Sequence, residues 1–238
     1  MDKFYIDKII EPVPCLDIPR ELHIFPYGSL VNDKKLMYLS GRIISEWSVL
    51  EYCLSSYLAI IMGSKATFGP IIFSEIKNSS TKLNIVKRAI RAEIHNQDDQ
   101  DAAMAVLSFI ISLAKYRNKI AHNVWTETNI KGLFFLIPAS SLSNELSTLH
   151  KHEIDPSHKP LSPQERIELP MVGGYAYTYK VLSKIHSDIN SAVFYVKHLI
   201  RFLTDRELRS LRLEWLTKQD HLHDRIVNMQ KSRKDKTA

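Results

Sequence analysis

Residues 115–125 read KYRNKIAHNVW, and they follow a stretch at 105–114, AVLSFIISLA, that is apolar except for two serines. Successive residues on a helix turn by about 100°, so Val106, Ile110, Leu113, Ile120 and Val124 fall on one narrow strip. Arg117 lies within it. Leu107, Ile111, Ala114 and Ala121 form a second apolar strip roughly 80° to 160° away, with Asn118 inside it and His122 at its edge. Ser108, Ser112, Lys115 and Lys119 make the one polar stripe. A helix buried on one side carries an apolar face of about 100°. This one carries more, which predicts packing on two sides: the chain's own core, and a partner subunit covering Leu107, Ile111, Ala114 and Ala121. The helix is expected to run from about Gln100 to Trp125.

Working outward, Leu36, Leu39, Ile43, Trp47, Leu50, Leu54, Tyr57 and Ile61 recur every three or four residues, which predicts a long amphipathic helix over 35–62 ended near Gly63. Gly69-Pro70 reads as a loop. SSTKLNIVKRAIRAEI predicts a second helix, apolar at Leu83, Val86, Ile90 and Ile94 and basic on its other side at Lys82, Lys87, Arg88 and Arg91. NQDDQD supplies cap chemistry for the motif helix. IKGLFFLIP, 130–138, is β-rich and too short for a helix, so it reads as a strand or hairpin arm. Residues 139–161 read as an exposed loop. SPQE at 162–165 is a capping box opening a short helix to Leu169, and after Gly173-Gly174 a long helix runs to about Thr204. Four prolines before residue 33 predict a surface arm. The division expected is an arm over 1–33, a helical domain over 34–204 with a loop insertion at 127–172, and a basic C-terminal helix and tail over 205–238.

Seven glycines in 238 residues and the dominance of amphipathic stretches indicate a mainly all-α protein. No stretch approaches the roughly 18 apolar residues that span a bilayer, and MDKFYIDKII has no leader-peptide pattern. These features point to the cytoplasm and away from a membrane partner. The net charge of +6 favours polyanions, though weakly as a signal by itself. Two cysteines, Cys15 and Cys53, do not make a disulfide framework or a thiolate zinc site.

Arg117 must snorkel to solvent, line a wet cleft, or pair with a carboxylate. Glu46 and Glu51, which flank the apolar stripe of the first predicted helix, are the candidate partners. A lone histidine such as His122 at the rim of an apolar face is commonly structural. The set carries more information than its members. RNKIAH resembles the R-x(4–6)-H motif of the HEPN superfamily, and YRNKIAHNVW is similar to the R-N-x-x-A-H-x-x-W form of bacterial members. The motif's place late in an apolar helix, after a long first helix bearing EWSVLE, fits the resemblance, which covers about residues 35–126, with 162–204 as compatible helices.

The resemblance implies an antiparallel helical bundle that dimerises with its motif helices facing each other. In many members it implies a metal-independent endoribonuclease, acting in bacterial stress response, toxin–antitoxin pairs or phage defence. RNA would be the substrate, and an antitoxin or regulatory protein a partner. Arg117 would stabilise charge on a phosphorane, and His122 would transfer protons. Asn118 would orient the imidazole or touch ribose or phosphate, with Tyr116, Glu46 and Glu51 in support. RNA brings its own nucleophile in the 2′-OH, so no cofactor and no metal is implied. On a straight helix Arg117 and His122 point about 140° apart; arginine's long stem, a local bend at the motif or a composite site shared by two subunits would reconcile them, and the resemblance favours the composite site.

The other reading is a catalytically inactive HEPN-like helical module that binds protein or nucleic acid. Ten histidines invite a metal site, but His150, His152 and His158 lack a ligand spacing, and His221 and His223 lie on different helix faces. The C-terminal arginines and lysines alternate with acids, as on a solvated helix, although such a face also suits RNA guidance.

Overall fold

The computed structural model describes residues 8–18, 33–128, 130–140, 173–205 and 209–237. Among these residues the chain is mainly helical, with seven α-helices and four short strands. The helices are α1 (Lys34–Ile61), α2 (Phe68–Glu75), α3 (Ser79–Glu93), α4 (Gln97–His122), α5 (Tyr179–Thr204), α6 (Arg209–Thr217) and α7 (Asp220–Thr237). The strands are β1 (Val13–Pro14), β2 (Asn123–Glu127), β3 (Leu133–Pro138) and β4 (Tyr175–Thr178). They form two compact units, one of residues 1–44 and 116–186, the other of 45–115 and 187–238. The helices α1, α4 and α5 contribute residues to both.

In the first unit the sheet is antiparallel in the order β1-β4-β3-β2. The central strand β3, LFFLIP, buries five consecutive residues, Leu133 to Ile137, instead of alternating. A strand covered on both faces has no solvent side to mark with polar residues. Gly132, at φ +87, turns the β2–β3 hairpin, and the Thr128 hydroxyl, which donates to the Leu133 carbonyl at 2.9 Å and accepts from Ile130 N–H at 3.1 Å, closes it. β1 is an edge strand, where Pro14 costs no ladder hydrogen bond. The start of the proline-rich arm is thus built into the fold: Ile9, Cys15 and Ile18 are buried, and Cys15 N–H donates to Gly174 C=O at 3.0 Å.

Asp33 caps α1, its Oδ1 accepting from Leu36 N–H at 2.8 Å. Its Oδ2 accepts from the Tyr179 hydroxyl at the start of α5. These bonds, the tyrosine's first, hold the Asp33 carboxyl below its ordinary range.

In the second unit Trp47, Leu50, Leu54 and Tyr57 of α1 are buried with Leu83, Val86 and Ile90 of α3 and Leu107 and Ile110 of α4. Asn78 caps α3 through Ser80 N–H. Asn96 accepts from Asp98 and Asp99 N–H at the start of α4. Gly69-Pro70, expected to be loop, lies inside α2. A Cβ on Gly69 would sit 1.8 Å from the Ser55 carbonyl oxygen, so here glycine serves close helix contact and not a turn.

Three boundaries differ from the sequence reading. The helix α4 stops at His122, not Trp125, because Asn123–Glu127 pairs with β3, and Val124, Trp125 and Thr126 favour a strand once a ladder is available. The helix α5 is preceded by β4. The C-terminal segment forms two helices, α6 and α7. The short helix expected at 162–169 and all but the first two residues of the loop expected at 139–161 lie outside the described residues. No helix among the described residues is long and apolar enough to cross a membrane.

Candidate active site

Arg117, Asn118 and His122 occupy the last two turns of α4, in the first unit. Because β2 starts at Asn123, His122 is the last helical residue, and its ring is exposed. Arg117 is half-buried. Its Nη1 donates to Asn118 Oδ1 at 3.1 Å, and its Nε is buried without a hydrogen-bond partner. Among the described residues no carboxylate pairs with it. A guanidinium held by an amide keeps its whole charge, whereas a carboxylate would neutralise it. The Asn118 side-chain carbonyl thus accepts from the arginine.

The expected supporting carboxylates lie in the second unit. There Glu51 Oε1 accepts from Trp47 Nε1 and Ser79 Oγ, each at 3.0 Å, and Oε2 pairs with Lys82 Nζ at 2.8 Å. Burial raises the Glu51 pKa, but the hydrogen bonds from Lys82, Trp47 and Ser79 outweigh it and leave the carboxyl below its ordinary range. Glu51 clamps α1 to α3. Lys82, expected on an exposed basic side, is largely covered by this pairing. Glu46 is half-buried in the same unit, and Tyr116 is half-buried beside Arg117.

The sheet supports the motif. Lys119 Nζ sits 3.1 Å from the ring centroid of Tyr175 on β4, so a residue of the polar stripe is fixed by a cation–π contact. Trp125 on β2 meets Tyr177 edge-on at 5.3 Å. Tyr177 is fully buried, its hydroxyl has no partner among the described residues, and burial pushes its pKa well up. Sequence reasoning missed Tyr175 and Tyr177. The available signal was YAYT, alternating as a strand directly after Gly173-Gly174.

The residues expected at a subunit interface differ in accessibility. Leu107 is 2% exposed and belongs to the chain's own core, and Ala114 is at the limit of burial. Ile111 is 37% exposed, and Ala121 is intermediate. Of the four, Ile111 offers the clearest accessible apolar side chain.

The C-terminal histidines have structural partners: the His221 ring stacks on Phe109 at 4.9 Å, and His223 Nδ1 lies 3.1 Å from the Thr217 carbonyl oxygen. His150, His152 and His158 lie outside the described residues. Among those described, no group of three His, Cys, Asp or Glu is arranged to hold a metal ion. No family model, no curated protein and no solved structure matches the chain.

Proposed function

We propose that the protein is a metal-independent endoribonuclease of HEPN type, acting as a dimer. The observation that supports this best is the state of Arg117: a half-buried cation, positioned by Asn118 Oδ1 and not neutralised by a carboxylate among the described residues. It lies five residues before an exposed imidazole at the helix end.

RNA cleavage by transesterification needs little more than these groups. The 2′-oxygen attacks phosphorus, the 2′ proton leaves to a base, the bond from phosphorus to the 5′-oxygen breaks, and that oxygen takes a proton from an acid. The products are a 2′,3′-cyclic phosphate and a 5′-hydroxyl. A positioned imidazole contributes about 10²- to 10⁴-fold by such proton transfer. A guanidinium meets the two negative oxygens of the phosphorane with matched donors. Two motif helices facing each other would supply one imidazole for each proton and would bring the diverging Arg117 and His122 side chains of different subunits into one cleft. A bacterial toxin, stress-response or phage-defence effector, kept in check by an antitoxin or regulator, fits such an activity.

The test is incubation of the purified protein with total RNA in chelator. The parent should cleave, His122→Ala and Arg117→Ala should not, and Asn118→Ala should cleave more slowly. A folded parent protein that binds RNA without cutting it would favour the inactive binding module.

A further inference from the structure

The second unit contains a groove of about 650 Å³ between the N-terminal half of α4 and α7, with Arg91 at the end of α3 on its border. We propose that this groove binds a phosphate ester with a nucleoside body, as a free nucleotide or as one unit of a strand. The proposal does not depend on the chemistry assigned to the end of α4.

The charge of the groove carries the argument. Of its three arginines, Arg233 is neutralised by Asp98 and Asp101, at 3.6 and 3.4 Å. Arg91 and Arg225 have no carboxylate partner among the described residues. Arg225 is also fixed: Nη1 donates to Ser108 Oγ at 2.7 Å, Nη2 to Ser112 Oγ at 3.4 Å, and the guanidinium carbon lies 5.7 Å from the Phe109 ring centroid. Hydroxyls and a ring position a guanidinium but leave its charge standing. A half-buried, pre-positioned and uncompensated cation is what a phosphate site requires, and Arg91 adds a second charge at the border.

Size and lining specify the rest. A bare anion would need only the arginines, whereas this volume lies in the range of small-molecule sites, roughly 300–1,000 Å³. Met104 and Met229 offer polarisable surface for a flat body, and the Asn228 amide has donor and acceptor for a base edge. Ser108, from the polar stripe of α4, is in this way part of the lining of the site.

Calorimetric titration of the full chain with adenosine 5′-monophosphate, with inorganic phosphate and with a short 2′-O-methyl oligoribonucleotide tests the proposal. The 2′-O-methyl groups keep any nuclease activity out of the readout. The nucleotide, the oligonucleotide or both should bind, and Arg225→Gln should weaken binding roughly ten- to hundredfold, the loss of one charged contact. Arg91→Gln, at an exposed position, should weaken it in the same direction and serves if Arg225→Gln does not fold. Binding of the mononucleotide identifies a free-nucleotide site; binding of the oligonucleotide alone identifies a strand site. No binding of either, inorganic phosphate binding as tightly as both, or unchanged binding by folded variants would overturn the proposal.

Discussion

At Glu51 burial and hydrogen bonding pull one carboxyl in opposite directions, and hydrogen bonding wins. Its folded-state pKa is depressed, so its contribution to stability is present above the ordinary carboxylate value and is lost as pH falls through the lowered one. Glu51→Ala should destabilise the protein by about 1–3 kcal/mol at neutral pH, the range for losing hydrogen bonds to a charged group. The deficit, measured by urea unfolding, should shrink towards acid. A deficit that stayed constant down to about pH 3 would show that the ion pair contributes nothing. Cys15 is fully buried, and burial pushes its thiol up to about 12. It should react with a thiol reagent only on unfolding, since the thiolate is the nucleophile. Rapid labelling of native Cys15, read by peptide mass, would contradict its burial. Neither property was legible beforehand: Glu51 and Lys82 are 31 residues apart, and nothing local pairs them.

For the elements, legibility followed the range of the forces. The long helices α1, α3, α4 and α5 were legible because their apolar periodicity extends over several turns. The end of α4 was not, because Asn123–Glu127 became strand only through pairing with a distant partner at 133–138. The Gly69-Pro70 pair looked like a breaker, yet Pro70 sits in the first turn of α2, where its missing N–H costs nothing. Gly69 was selected for contact with α1. Gly69→Ala should therefore cost at least about 1–3 kcal/mol, the range for overpacking, in spite of alanine's higher helix propensity. A thermal melt unchanged or raised would show that α2 can move away from Ser55. Likewise Ser108 and Ser112 read only as members of a polar stripe, and only the fold brought Arg225 to them.

At the scale of the whole molecule, the mainly α-helical architecture could be read from composition and periodicity, whereas assembly is a separate question. Two substitutions on α4 separate core from interface. Leu107→Ala should cost about 2–5 kcal/mol, as expected for a buried leucine, because that side chain belongs to the chain's own core. Ile111→Glu should leave the fold intact and convert a dimer to monomer in light scattering. A variant that kept the parent's mass would remove Ile111 from the proposed interface. The proposed transesterification can be tested at the level of a single bond. A short RNA with a mapped cleavage position is incubated with the protein in chelator, beside the same RNA carrying one 2′-O-methyl group at the cleaved nucleotide. The first should be cut to a 2′,3′-cyclic phosphate, the second should stay intact at that position, and His122→Ala should cut neither. Cleavage of the blocked RNA at the same bond, or undiminished cleavage by folded His122→Ala, would contradict this chemistry.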